Sequence, residues 1–276
     1  MKFHRLDVFG TTDVGRVREE NEDQFFIASI DKSVSVRQTS IETADLIDCR
    51  AEPCAWLLAV ADGCGGMAHG RRASQMAVRI VMECVGNAID CYYETDSEGE
   101  GEFLERLRDA VESAHESVHR EVSERAGQAG TTLTLVALVW PRAYVAHVGD
   151  SRAYLLRGER LRQITRDQTM AESMLDQGLM TEEAVSNLGL DHILTSAVGG
   201  TIVPTFTVLD LQPGDNLLLC TDGLTKHVND VEITDALLRS NGSAALVVES
   251  LQSLALERGG TDNVTVVAAC SAAAAE

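Results

Sequence analysis

Four strand-like apolar runs in this chain each begin or end on an aspartate, and no other feature of the sequence constrains the fold as strongly. Trp56-Leu57-Leu58-Ala59-Val60-Ala61 runs into Asp62-Gly63-Cys64-Gly65-Gly66, and Tyr144-Val145-Ala146-His147-Val148-Gly149 runs into Asp150. Leu217-Leu218-Leu219-Cys220-Thr221 runs into Asp222-Gly223, and Thr261-Asp262-Asn263 opens the run at residues 264–269. The first run is apolar at every position, as in a strand covered on both faces, and the glycines behind it free the backbone for sharp turns. Asp62 is therefore expected at the rim of a sheet. A single Asp-Gly is also a common hairpin turn, so the recurrence carries the argument. Pro213-Gly214-Asp215 has the same residue types between two strand-like segments and is read as a turn only.

The remaining segments fit one large domain over residues 1–270 with a tail at 271–276. Residues 2–10 read as a strand and 10–15 as a polar turn. Arg18-Glu19-Glu20-Asn21-Glu22-Asp23 runs straight into the strand-like Gln24-Phe25-Phe26-Ile27-Ala28, with a solvated charged loop as the plain alternative. Residues 31–55 read as a hairpin or loop. Met76, Ala77, Ile80, Val81, Cys84, Val85, Ala88 and Ile89 line one face of a helix over 71–89. The acidic stretch 94–102 reads as a solvated link, followed by a helix on Phe103, Leu107, Ala110, Val111, Ala114, Val118 and Val122. A β-meander covers 131–156. Residues 166–192 interrupt it with two short helical pieces, a lid beside the rim or a packing excursion. Strands at 205–210 and 216–221, helices at 231–239 and 244–257, Ser243 as an N-cap and a stop at Gly259-Gly260 complete the pattern.

Composition removes several function classes. No stretch approaches the roughly 18 to 20 apolar residues of a membrane helix and no apolar leader is evident, so a soluble cytoplasmic protein is expected. A net charge of -20 argues against nucleic acid or an anionic membrane as partner. Seven cysteines without a Cys-x-x-Cys pair suit reduced core thiols. His115-Glu116-Ser117-Val118-His119 matches the short zinc-protease pattern, but no third ligand follows, and helix-surface histidines are the plainer reading.

Aspartates gathered on one rim would form an all-oxygen, strongly negative cluster, which selects magnesium or manganese and is stable mainly when a cation neutralises it. Two such ions roughly 3.5 to 4 Å apart can share a water, lower its pKa and aim it in line at phosphorus. Holding the phosphate oxygens calls for a planar cation, and Arg18 is the candidate.

These residues resemble the metal-dependent serine/threonine protein phosphatases of type 2C, the PPM family, in their compact bacterial form. The resemblance spans roughly residues 7–270. It rests on Val17-Arg18-Glu19-Glu20-Asn21-Glu22-Asp23, on Asp62-Gly63-Cys64-Gly65-Gly66 with Gly70 and Ala73-Ser74, on Gly130-Thr131-Thr132, on Val148-Gly149-Asp150-Ser151-Arg152, on Thr221-Asp222-Gly223 and on Thr261-Asp262-Asn263. It implies an α+β fold, a four-layer α-β-β-α sandwich of two antiparallel sheets flanked by helices, with a flap at about 166–192. It implies two manganese or magnesium ions and a third, weaker site. Asp62 would bridge the two ions, with Gly63 on one, Asp222 and Asp262 on the other, and Glu22 and Asp23 acting through waters. Asp150 with Asp222 would hold the third ion. Arg18, Asp62 and Asp222 are the expected catalytic residues, and the reaction is hydrolysis of phosphoserine and phosphothreonine in proteins.

Partners implied are phosphorylated proteins and the serine/threonine kinases the enzyme opposes, with the chain itself a monomer. Some relatives carry a histidine just after the Asp-Gly, where this chain has Cys64. Metal-bound water is then expected to supply the leaving-group proton, with His69 as the alternative donor. A metal edge that acidified Cys64 would make it oxidisable, whereas a buried cysteine would be inert. A non-catalytic phosphoprotein-binding module on the same fold is the other class, and it would be expected to lack one of Asp62, Asp222, Asp262 or Arg18.

Overall fold

The structure, a computed structural model, describes residues 6–33, 50–65, 68–88, 97–124, 129–181, 184 and 188–271. Two five-stranded antiparallel sheets pack face to face. One has the order β1 (Leu6–Asp13), β12 (Val264–Ser271), β11 (Asn216–Cys220), β8 (Arg152–Arg157), β9 (Arg160–Gln163). The other has the order β10 (Thr205–Asp210), β7 (Arg142–Val148), β6 (Leu133–Val139), β3 (Arg50–Ala61), β2 (Gln24–Ser33). A two-stranded ribbon of β4 (Gly63–Cys64) and β5 (Gly130–Thr131) sits at the rim.

The uniformly apolar runs are explained by the layering. Within β3, Leu58 and Val60 face the other sheet and pack with Val136, Val145, Leu155, Leu217, Leu219 and Val267. Leu57 and Ala59 face the opposite way, into a cluster under α1 (Ala68–Ala88) and α2 (Ser97–Glu124). In β11 the same alternation sends Leu217 and Leu219 inward, and Leu218 and Cys220 against α5 (Asp230–Arg239) and α6 (Ala244–Glu257). A strand covered on both faces cannot alternate apolar with polar. The four layers expected from the sequence are thus present, helices outside and sheets inside. Each fully buried leucine contributes about 1.5 to 3 kcal/mol by leaving water.

Helix boundaries follow local chemistry in the C-terminal half. Asn229 caps α5 in a reciprocal box with Glu232, and the Ser243 side chain accepts from the Leu246 amide at the start of α6. Such caps are worth about 1 kcal/mol each. Five expectations are corrected. The β-meander read over 131–156 ends with β7, because after Gly149-Asp150-Ser151 the chain crosses to the other sheet, where β8 pairs with β11 and β9. The acidic stretch read as a link is helical from Ser97, because Glu100 of α2 pairs with Arg142 at 2.6 Å and Phe103 is fully buried against Tyr144. The polar turn read over 10–15 instead continues β1 to Asp13, paired with β12 through Val264. Ser271, read as tail, is the last residue of β12. Of the stretch read as a hairpin or loop at 31–55, residues 31–33 extend β2 and 50–55 belong to β3; residues 34–49, 272–276 and most of 181–185 lie outside the described residues.

Strand direction puts the aspartates together. β2 begins where the antiparallel β3 ends, with Gln24 opposite Ala61, so Asp23 and Asp62 share a rim. β7 ends beside the start of β6, with Val148 opposite Leu133, which places Asp150 there as well. β12 begins near the end of β11, with Val266 opposite Cys220, and this sets Asp262 beside Asp222.

Candidate metal centre

One cavity of about 390 Å³ opens on this rim, and Arg18, Glu22, Asp62, Gly63, Asp150, Asp222 and Asp262 all line it. Thr132 and Asn263 line it too, and they explain how the acids are held. The Asp62 carbonyl accepts from Thr131 Oγ1 and from the Thr132 amide, each at 2.9 Å, while its own amide donates to Thr132 Oγ1 at 2.9 Å. Gly130-Thr131-Thr132 is therefore a clip for Asp62. Gly63 is required by its neighbours: a Cβ there would stand 2.3 Å from the Gly70 carbonyl oxygen and 2.9 Å from that of Glu22. Asn263 accepts from the Glu22 amide at 2.8 Å and donates to the Val14 and Glu20 carbonyls, so it fixes the loop carrying Arg18 and Glu22. Asp23 lies deeper, 1 % exposed, where Oδ2 accepts from Thr221 Oγ1 at 2.7 Å and Thr265 Oγ1 at 2.6 Å.

The electrostatics are those of a site built for cations. Burial, reinforced by Asp222, raises the Asp23 carboxyl to about 7 against the pull of its two threonines. Asp62 is raised well above the carboxylate range by burial and by Asp23, Asp222, Asp150 and Asp262. Asp150 is raised to about 7 by burial and Asp222, and Glu22 is raised by burial. Glu22 Oε1, Asp23 Oδ1 and Asp222 Oδ1 are buried without any hydrogen-bond partner, and such oxygens cost free energy unless something positive satisfies them. All the donors are oxygens, which fits manganese or magnesium rather than zinc. The donor set and the orphaned oxygens fit divalent cations.

Among the described residues no three acid, histidine or cysteine side chains converge at ligand spacing. Two neighbouring cations pair with part of the acid set. Arg18 Nε and Nη2 fork onto the Asp262 carboxylate at 2.8 and 2.9 Å. Lys226 Nζ sits 2.6 Å from Asp222 Oδ2 and 2.8 Å from Asp262 Oδ2. Burial raises the Asp262 pKa, yet these two partners outweigh it and hold the group below its ordinary value. Lys226 escaped the sequence reading. Its signal is the spacing Asp222-Gly223-Leu224-Thr225-Lys226, which puts an ammonium one helical turn behind a ligand aspartate on α4 (Asp222–Thr225).

Of the residues weighed near the Asp-Gly turn, His69 and Cys64 differ in their relation to the cavity. His69 is exposed in the first turn of α1 and does not line the cavity; His192, at the end of the 3-10 turn Leu190–His192, does. Cys64 lines the cavity with an exposed surface, and in the metal-free chain burial of its thiol and the Asp62 charge push its pKa up to about 11. Arg152 grips Asp167, beyond β9, with Nε at 2.9 Å and Nη2 at 2.7 Å. Of the other pockets, the one between α5 and α6, lined by Glu232, Arg239, Leu246 and Leu254, is remote from all of these acids.

Comparison with known proteins agrees with this geometry. The protein phosphatase 2C family model matches residues 35–260. The serine/threonine protein phosphatase PstP of Mycobacterium tuberculosis is 38% identical over 216 residues, covering 77% of this chain and 40% of PstP. The chain thus spans well under half of that relative's length. The serine/threonine phosphatase stp of Listeria welshimeri is 32% identical over 261 residues, with 93% of this chain and 92% of the relative covered. The crystal structure of the M. tuberculosis phosphatase PstP/Ppp superposes with a TM-score of 0.75 at 32% identity, over 97% of this chain and 99% of that one. The PstP catalytic domain in complex with two manganese ions gives a TM-score of 0.72 at 33% identity, over 96% and 97%. With two flanked antiparallel sheets, an acidic rim and a family model spanning most of its length, this chain belongs to the protein phosphatase 2C family.

Proposed function

We propose that this chain is a manganese- or magnesium-dependent phosphatase that hydrolyses phosphoserine and phosphothreonine in proteins. The observation that carries the reading is the set of buried carboxylate oxygens without partners, on Glu22, Asp23 and Asp222, around a cavity that Arg18 also lines. A binding-only module has no need of such a cluster. Asp62, Gly63, Asp222 and Asp262 would hold two divalent ions, with Glu22 and Asp23 behind them and Asp150 beside Asp222 for a third. When bound, these ions supply neutralising charge and a water acidified for in-line attack on phosphorus.

The chain's own residues do the rest. Arg18 spends two of its five N–H donors on Asp262 and keeps others for the phosphate oxygens. Thr131 and Thr132 fix the Asp62 backbone, so its carboxylate meets the cations without reorganising. His192, which lines the cavity, would protonate the departing serine or threonine oxygen. Opposition to serine/threonine kinases, action as a monomer and a cytoplasmic setting belong to the same proposal. Among the described residues, no helix is long and apolar enough to cross a membrane.

The test is hydrolysis of a phosphothreonine peptide by metal-stripped protein, with manganese, magnesium or zinc added back, beside Asp222→Asn. Activity restored by manganese and reduced at least ~10³-fold by the substitution is the expected result. Manganese binding without hydrolysis would favour the binding module.

A further inference from the structure

His115 and His119 have no part in the chemistry above, yet they do more than decorate a helix surface. Their rings stack one turn apart on α2, with centroids 5.8 Å apart and planes 21° from parallel. Both turn Nδ1 toward one residue, Gly199. The Gly199 amide donates to His115 Nδ1 at 3.1 Å, and His119 Nδ1 donates to the Gly199 carbonyl at 2.9 Å. A backbone amide only donates and a carbonyl only accepts, so the two imidazoles are opposite tautomers, His115 protonated on Nε2 and His119 on Nδ1. Between them Val118 presses on the same residue: Gly199 has φ +93°, and a Cβ there would stand 2.5 Å from Val118 Cγ1. The His-x-x-Val-His spacing thus reads one glycine's donor, acceptor and missing side chain.

The segment leading into Gly199 runs along the active rim. Next to it, Val198 exchanges backbone hydrogen bonds with Thr131 at 3.0 and 2.8 Å, and Thr131 Oγ1 donates to the Asp62 carbonyl. Upstream, the flap neck is closed by Thr195 N to Gln168 O and Met170 N to Ile193 O, both at 2.8 Å. His192, at the end of a 3-10 turn over Leu190–His192, and Leu194, bridged to Thr169, line the cavity.

We infer that His115 and His119 are positioning residues, a glycine clamp that docks the flap's returning segment on α2 and thereby sets the affinity for phosphopeptide substrates. The inference rests on the phosphatase reading for its functional half only. A small phosphate ester needs the metal centre alone, whereas a peptide must also lie against the flap side of the cavity. The clamp therefore separates KM for peptide from every other parameter.

The experiment compares wild type, His115→Ala, His119→Ala and the double variant with manganese, on a phosphothreonine peptide and on p-nitrophenyl phosphate. Asparagine is tested at each position because its side-chain amide presents a donor or an acceptor where Nδ1 stands. The expected result is a peptide KM raised ~5-fold in the alanine variants with kcat within ~2-fold, unchanged p-nitrophenyl phosphate kinetics, and recovery by His115→Asn and His119→Asn. Unchanged peptide KM in the double variant overturns the clamp, as does an equal loss on both substrates, which would mean general destabilisation. Nitrogen-15 spectra of the wild-type imidazoles give a second reading independent of activity. Opposite neutral tautomers support the clamp and identical ones end it. A wild type silent on both substrates would instead overturn the phosphatase reading, while the tautomers still judge the clamp.

Discussion

Strand β11 carries an aspartate at each end, and the two ends of the molecule treat that residue in opposite ways. Asp215 precedes the strand, 7 % exposed; Arg157 forks onto it with Nε at 2.9 Å and Nη2 at 2.7 Å, and it also caps the Gln212 amide at 2.8 Å. Asp222 follows the strand, and its Oδ1 is buried with no partner while Oδ2 meets only a lysine shared with Asp262. One end is electrostatically complete within the chain. The other gathers Asp23, Asp62, Asp150, Asp222 and Asp262 with too few cations to balance them. A buried carboxylate whose lone pairs are all used holds a turn; one left incomplete beside others like it waits for an ion.

The largest effect should come from exchanging the roles of these ends. Asp62→Asn is expected to lower manganese-dependent turnover by ~10³-fold or more while leaving the metal-free protein at least as stable, because it removes a buried charge among like charges. Asp215→Ala is expected to do the reverse, lowering stability by about 2 kcal/mol with turnover unchanged, since it strips a fully satisfied carboxylate from Arg157 and Gln212. Denaturant melts beside steady-state rates on both variants measure this. Equal stability losses would erase the distinction.

The acidic end should also set the pH response. Asp23 and Asp150 have folded-state values of about 7, above their unfolded range near 3.8, so between those limits the folded state binds more protons than the unfolded one. Stability of the metal-free protein should therefore fall as pH rises from about 4 to 7. Saturating manganese should flatten that slope, because the cation takes the protons' place. Melting temperature against pH, with and without metal, checks the sign; a metal-free protein that gains stability over that window contradicts it.

A smaller effect is expected at Lys226. In the metal-free protein its ammonium bridges Asp222 and Asp262, so it stands in for part of the missing positive charge and repels an arriving ion. Lys226→Met should tighten manganese binding by ~10-fold, read by calorimetry, and should lower the melting temperature of the metal-free form only. Binding that weakens instead would make Lys226 a support for the ligands.

The site was more legible in the sequence than its surroundings. Asp62, Asp150, Asp222 and Asp262 announce themselves because each adjoins a strand apolar on both faces, and a charge at that boundary has few structural uses. The supports were less visible. Thr221 and Thr265 hold Asp23 from residues more than 190 positions away in the chain, a pairing that only strand register creates. The start of α2 was misread for a related reason: Ser97-Glu98-Gly99-Glu100-Gly101-Glu102 is locally a poor helix, and its helicity leans on Arg142 and on the burial of Phe103. Tertiary partners override weak local preference where the gain in burial exceeds the cost of two glycines, about 1 kcal/mol each.

The smallest expected effects separate two histidines that differ in their place relative to the cavity. His69 is near Asp62 in the chain, but it is exposed in the first turn of α1, outside the cavity lining. His192 is 130 residues from Asp62 in sequence but lines the same cavity. His69→Ala should change kcat by less than ~2-fold on any substrate. His192→Ala should lower kcat ~3- to 10-fold on a phosphothreonine peptide, whose alkoxide is a poor leaving group, and leave p-nitrophenyl phosphate untouched, because nitrophenolate departs without a proton. The dependence on leaving group is the diagnostic part. A donor is felt only where the departing oxygen needs its proton, whereas a residue that shapes the cavity is felt with both esters. Equal losses on the two substrates would remove His192 from the proton-transfer step and return that role to solvent at the metal centre.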